Sequence, residues 1–192
     1  MFPTTARRPH PGSTTALVLL VFAGGSVLDA ILRATSRYSP AAGMLPQLLL
    51  AAVPMFIAMG TWICLRGRKG LSGSLFLQLL LAIGVGVLAM GSALPLSWYL
   101  GIGLVLWAMR LGRSLLMWVG TSLLVLAGGA QFGMIDFSGV LFLPFALTPP
   151  LFLGAAVYYQ WHQVRHSQLE TDIDAEQSAQ LHRNRYGREA GH

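Results

Sequence analysis

Between Met1 and Ile135 the chain carries one acidic side chain, Asp29. Seven Asp and Glu occur in all 192 residues, and four of them crowd into positions 170–176. A chain so poor in acids has no carboxylate pair placed for general acid–base work within its apolar segments. Cysteine is nearly absent too. Cys64 stands alone, so no internal disulfide can form. At the end of an apolar run it reads as a buried, inert thiol. Metal-ligand sets are missing in the same way. His162 and His166 stand one helical turn apart, but no cysteine, glutamate or third histidine nearby completes a set. They read as solvated, interfacial histidines. The stretch Gly120-Thr121-Ser122 lacks the glycine–serine pattern and the intramembrane histidine that an intramembrane serine protease needs. No cofactor is implied.

Charge of either sign is scarce. It makes up 10% of the chain, while 54% is hydrophobic; soluble domains carry about 25% charged residues. No globular core of this size hides so much apolar surface, because a soluble fold needs polar residues outside. Lipid is the natural solvent. The expected fold is therefore an all-α polytopic membrane bundle of six transmembrane helices.

The spans follow from length, since a crossing helix needs about 20 mainly apolar residues. The first covers about 15–34 and the second about 44–65, with Pro46 near its start, where a missing N–H costs little. Arg66-Gly67-Arg68-Lys69-Gly70 closes the second with bases and glycines. The third runs over about 71–92. Pro95 then forces a turn, and the fourth runs to about 109–111. This run is short, and a full span is favoured over a re-entrant hairpin because Trp98-Tyr99 fits a headgroup belt. The fifth covers about 114–132. The sixth covers about 139–161 and contains Pro144, Pro149 and Pro150, so a kink or break near its middle is expected. Tyr158, Tyr159 and Trp161 would anchor its far end. The organisation is thus an N-terminal cytoplasmic segment at 1–14, a membrane domain at 15–161, and a cytoplasmic, partly helical tail at 162–192. No internal repeat is visible. A basic start at Arg7-Arg8 is followed by no convincing cleavage site, so the first helix is expected to be retained.

Basic residues set the sidedness. With the N-terminus inside, the inner segments hold Arg7, Arg8, Arg66, Arg68, Lys69, Arg110, Arg113, Arg165 and three tail arginines, and the outer loops hold Arg33 and Arg37 alone. That distribution fits the positive-inside rule with both termini cytoplasmic, at an inner (plasma) membrane. Five spans would put the basic tail outside. The net charge of +6 is accounted for by anionic lipid, without nucleic acid.

Asp29 then lies in the outer third of the first helix. Arg33 follows one turn later and Arg37 one turn beyond. The plain expectation is a helix-end ion pair with the arginines snorkelling to headgroups. A sharper expectation groups residues of equal depth. Asp29, Arg33, Arg37, Gln47, Gln131 and Asp136 would line a shallow outward-facing polar cleft for a small polar ligand, an ion or a lipid headgroup. Small residues recur at contact spacing: Ser26, Ala30 and Ala34; Ala82 and Gly86; Gly129 and Gly133. They read as packing inside one bundle. Gln78, in the third helix toward the cytoplasm, reads as an amide bonding a neighbouring helix.

The functional expectation is a non-catalytic integral membrane subunit of a larger assembly, in transport or envelope biogenesis. Its partners would be the lipid bilayer and a protein in the membrane or at its cytoplasmic face. A stand-alone small-solute transporter or channel is one alternative. It would need a continuous polar path, at which only Gln78, Ser92 and Thr148 hint. A sensor module signalling through the tail is another. A lipid-modifying enzyme is the least favoured, kept open by Asp29 and Asp136.

Overall fold

The structure is a computed structural model that describes residues 11–38, 45–66, 71–91, 96–132, 146–167 and 177. The described chain is helical throughout. The helices are α1 (Pro11–Tyr38), α2 (Leu45–Leu65), α3 (Ser72–Gly91), α4 (Ser97–Leu111) and α5 (Ser114–Gln131). A further helix, α6, covers 146–167.

Helix starts obey local chemistry. Pro11 opens α1, where its fixed φ suits the first turn and its missing N–H removes a donor that would go unbonded anyway. α1 outruns the expected 15–34 at both ends, gaining polar residues on each side of its apolar middle. Pro54 lies in the interior of α2, yet the helix continues through it. The sequence reading passed over this residue; a proline there removes one hydrogen bond from the ladder.

Pro149 and Pro150 lie in the described part of α6, which continues through them. α6 runs beyond Trp161 as far as Ser167, into the segment expected to be a partly helical tail. Pro144 lies outside the described residues.

Among the described residues three stretches are long and apolar enough to cross a membrane: Ser13–Ser36 in α1, Leu48–Leu65 in α2 and Ser114–Gln131 in α5. Shorter apolar stretches occupy Ser72–Leu88 and Ser97–Leu111. At 1.5 Å per residue the 15-residue α4 reaches about 22 Å, short of a hydrocarbon core of about 30 Å.

Other helices surround it. α1, α2, α3 and α4 close a ring, each touching the next, and α5 packs along the outside of α4. α4 therefore has neighbours on three sides. Eight of its residues are buried, among them Tyr99, Leu100, Leu104 and Trp107. The core gathers Val18, Leu19 and Phe22 from α1, Val53 and Ile57 from α2, Leu75 and Ala82 from α3, Leu116 and Leu123 from α5, and Leu153 from α6.

The α4–α5 hairpin is made by Gly112, whose φ of 62° places it in the left-handed region. Its N–H bonds back to the carbonyl of Ala108, so it ends α4 at little steric cost. Along the hairpin Gly101 and Gly120 face each other. A Cβ on Gly120 would stand 2.9 Å from the carbonyl oxygen of Gly101. The two backbones approach this closely only because neither residue has a side chain.

The outer faces are as informative as the core. Phe56, Met59 and Ile63 line the outside of α2; Phe76, Leu80, Ile83 and Val87 line α3; Trp118 and Val125 line α5. Soluble monomers rarely expose apolar surface on this scale. These faces fit contact with lipid. Cys64 shares the outer face of α2 and is exposed, not buried. The inward positions next to it are taken by Thr61 and Leu65.

Candidate functional site

The helix ring encloses one polar node among the described residues, and Gln78 is its centre. Gln78 lies on α3 with 2% of its surface exposed. Its Oε1 accepts from Trp107 Nε1 on α4 at 2.8 Å and lies 3.0 Å from Thr61 Oγ1 on α2. Its Nε2 donates to the hydroxyl of Tyr99 on α4 at 3.2 Å. The Thr61 hydroxyl also reaches the carbonyls of Ile57, at 2.9 Å, and Ala58, at 2.8 Å. Its single proton serves one of the three acceptors at a time. One amide thus ties three helices together.

The fourth helix joins through aromatic contact. Phe22 of α1 stacks on the Tyr99 ring, centroids 6.1 Å apart and planes 3° from parallel. Gly103, one turn after Tyr99, makes room for it: a Cβ there would stand 2.9 Å from the Phe22 ring. Tyr99 was expected in a headgroup belt beside Trp98. It is instead fully buried. Positions 99, 103 and 107 form one stripe of α4 at four-residue spacing, and this stripe faces the ring's interior. That periodicity was the readable signal. The adjacent aromatic pair drew attention to the surface instead. Trp98 is half-buried, and its Nε1 has no hydrogen-bond partner among the described residues.

Beside the node, α3 and α4 leave a crevice of about 230 Å³, lined by Ser74, Leu77, Gln78, Leu106, Trp107, Met109 and Arg110. Ser74 belongs to the first turn of α3 and Arg110 to the last turn of α4. The crevice therefore runs from the helix ends inward to the amide of Gln78 and the indole of Trp107. Neither Thr61 nor Trp107 was singled out from the sequence.

The second polar feature is at the far end of α1. Arg33 Nε donates to Asp29 Oδ2 at 2.8 Å, with the side chains 32% and 15% exposed respectively. Asp29 Oδ1 is buried and has no hydrogen-bond partner among the described residues. Of the other residues grouped with this pair by depth, Gln131 is exposed at the end of α5. Arg37 and Gln47 lie in α1 and α2, but their side chains are outside the described set, and Asp136 is outside it altogether. The structure thus joins Asp29 to Arg33.

The small-residue stripes are placed as follows. Ser26 and Ala30 are buried and Ala34 half-buried on α1; Ser26 bonds the carbonyl of Ala23 at 2.8 Å. Ala82 is buried on α3. A Cβ on Gly86 would stand 3.0 Å from the carbonyl of Ala51 on α2. Gly129 is half-buried, and Gly133 is outside the described residues. On α6, the rings of His162 and His166 lie 4.4 Å apart, both exposed. No group of three metal-binding side chains occurs among the described residues. Tyr158, Tyr159 and Trp161 are exposed beside them.

Chemically, the node holds helices in register, and its amide oxygen and nitrogen both have partners. Compared with protein-family models, curated proteins and solved structures, the chain matches none.

Proposed function

We propose that the chain is a non-catalytic integral membrane subunit of a larger assembly, serving transport or envelope biogenesis. It would cross the inner (plasma) membrane six times with both termini cytoplasmic, α4 crossing as a short helix sheltered by α1, α3 and α5. The observation that carries the non-catalytic reading is the closed bonding of Gln78. A reaction centre or a solute path within the membrane needs polar groups free to engage a substrate. Here the polar atoms of Gln78, Thr61 and Trp107 are bonded to one another. The exposed apolar faces of α2, α3 and α5 supply surface for lipid and for partner helices. Distribution of Lys and Arg supports the sidedness. In this orientation the Asp29–Arg33 pair faces outward, and its unbonded Oδ1 would be the polar atom presented by an outer cleft.

Two measurements test the proposal together. Full-length protein extracted in mild detergent is expected to migrate as a complex larger than its own mass, and to fall to that mass when a harsher detergent separates the partners. The purified chain in liposomes is expected to conduct no small solute. Solute flux through the chain alone would replace this reading with that of a transporter or channel.

A further inference from the structure

The crevice between α3 and α4 is not explained by a scaffold. Its floor is Gln78 and Trp107, its walls are Leu77, Leu106 and Met109, and its rim carries Ser74 and Arg110. We infer that it binds an anionic phospholipid, with the phosphate at Arg110 and Ser74 and part of an acyl chain along the leucine wall.

Three observations point to this occupant. The first is the order of chemistry. Polar and cationic groups stand at the helix ends, and the walls of Leu77, Leu106 and Met109 lead inward to a floor of Gln78 and Trp107, whose hydrogen bonds engage each other, so the side walls suit an acyl chain below a headgroup. Arginine presents planar, charge-assisted donors suited to phosphate, and with five N–H groups it holds a neighbour and a phosphate at once. The second is charge. Arg66, beyond the end of α2, and Arg113, before α5, belong to the same end of the helix hairpins. Among the described residues the one carboxylate is Asp29, engaged by Arg33 on α1. Basic pockets between membrane helices on the cytoplasmic side are recognised sites for acidic headgroups. The third is size. A volume of about 230 Å³ falls below the ~300–1,000 Å³ that encloses a drug-sized ligand. It accommodates one end of a molecule whose remainder lies outside the protein. A phospholipid in the surrounding leaflet is such a molecule. The first-turn N–H groups of α3, beside Ser74, add to the attraction for an anion.

The inference rests on the membrane reading, and its test keeps the two apart. Membranes holding the full-length protein are first washed at alkaline pH; release of the chain would sink the membrane reading itself. The retained protein is then purified and exposed to vesicles of phosphatidylglycerol and phosphatidylcholine in equal parts with identical chains. Lipid that stays bound is counted by native mass spectrometry. Phosphatidylglycerol is expected to be preferred by about fivefold, the attraction of one arginine for a net anionic headgroup; both lipids offer Arg110 a phosphate, and phosphatidylcholine offsets its charge with a cation. Arg110→Gln should abolish the preference, Leu77→Trp should reduce retention of both lipids by filling the crevice, and Arg165→Gln, at an exposed position of α6 outside the crevice, should leave the preference unchanged. If Leu77→Trp does not fold, Arg110→Gln decides the question. Equal selectivity in the wild type and Arg110→Gln overturns the inference. So does displacement of phosphatidylglycerol by millimolar inorganic phosphate, which would mark a site for the free anion.

Discussion

Replacing Gln78 by Leu keeps the volume of the side chain roughly constant and removes every bond the amide makes. The Trp107 N–H, now 2.8 Å from Oε1, loses its acceptor, and the Tyr99 hydroxyl loses its donor. Thr61 keeps the carbonyls of Ile57 and Ala58, so it loses least. A buried donor left without a partner costs about 1–3 kcal/mol in water-soluble cores. Within a bilayer the unfolded helices also find partners, and single interhelical bonds average about 0.6 kcal/mol with a ceiling near 1.7. Two stranded groups and one weakened bond give an expected loss of about 2 kcal/mol, a folding equilibrium constant lowered roughly thirtyfold. A denaturing-detergent titration of the purified chain in mixed micelles reads this directly. Trp107→Phe made alone should cost the indole bond and some packing. Made on top of Gln78→Leu it should cost about 1 kcal/mol less, because the bond is already gone. If Gln78→Leu shifts stability by under about 0.5 kcal/mol and the two changes are simply additive, the node is not a fastener and the argument built on it fails.

Other perturbations bear on other parts of the chain. Gly120→Ala places a methyl 2.9 Å from the Gly101 carbonyl oxygen and 3.0 Å from the Val105 nitrogen. Both obstacles are backbone, so α4 and α5 must separate, at about 1–3 kcal/mol; the same detergent titration measures it, and a neutral result would refute the close approach. Asp29→Asn should cost no more than about 1 kcal/mol, since Arg33 is about one-third exposed and one oxygen of Asp29 is unbonded already. Alanine at Asp29 and, separately, at Asp136 tests the outer cleft: preserved folding and function in both variants removes it. Sidedness is checked with single cysteines. Cys64→Ser, at an exposed position, should change stability by under about 0.5 kcal/mol. In that background Ser36→Cys should react with an impermeant maleimide on intact cells, and Ser114→Cys only after permeabilisation.

The sequence by itself determined that this chain is helical and how long most of its helices are. Hydrophobic runs closed by Arg66 and Pro95 are local signals, and α2, α3 and α5 begin and end within about one residue of the expected 44–65, 71–92 and 114–132. The i,i+4 pairing of Asp29 with Arg33 was legible for the same reason, because one helix turn brings both side chains together. Which face of each helix meets protein and which meets lipid was not legible. When both environments are apolar, an outward Phe56 and an inward Ile57 carry the same hydrophobic signature, and the amphipathic pattern that reveals a soluble core is absent. That choice placed Cys64 outside and Tyr99 inside, against expectation. Tertiary packing alone also brought Thr61, Gln78, Tyr99 and Trp107, spread over three helices, to one point. A hydrogen bond between helices depends on their rotation and distance, and only the packed ring of α1 to α4 sets those two quantities.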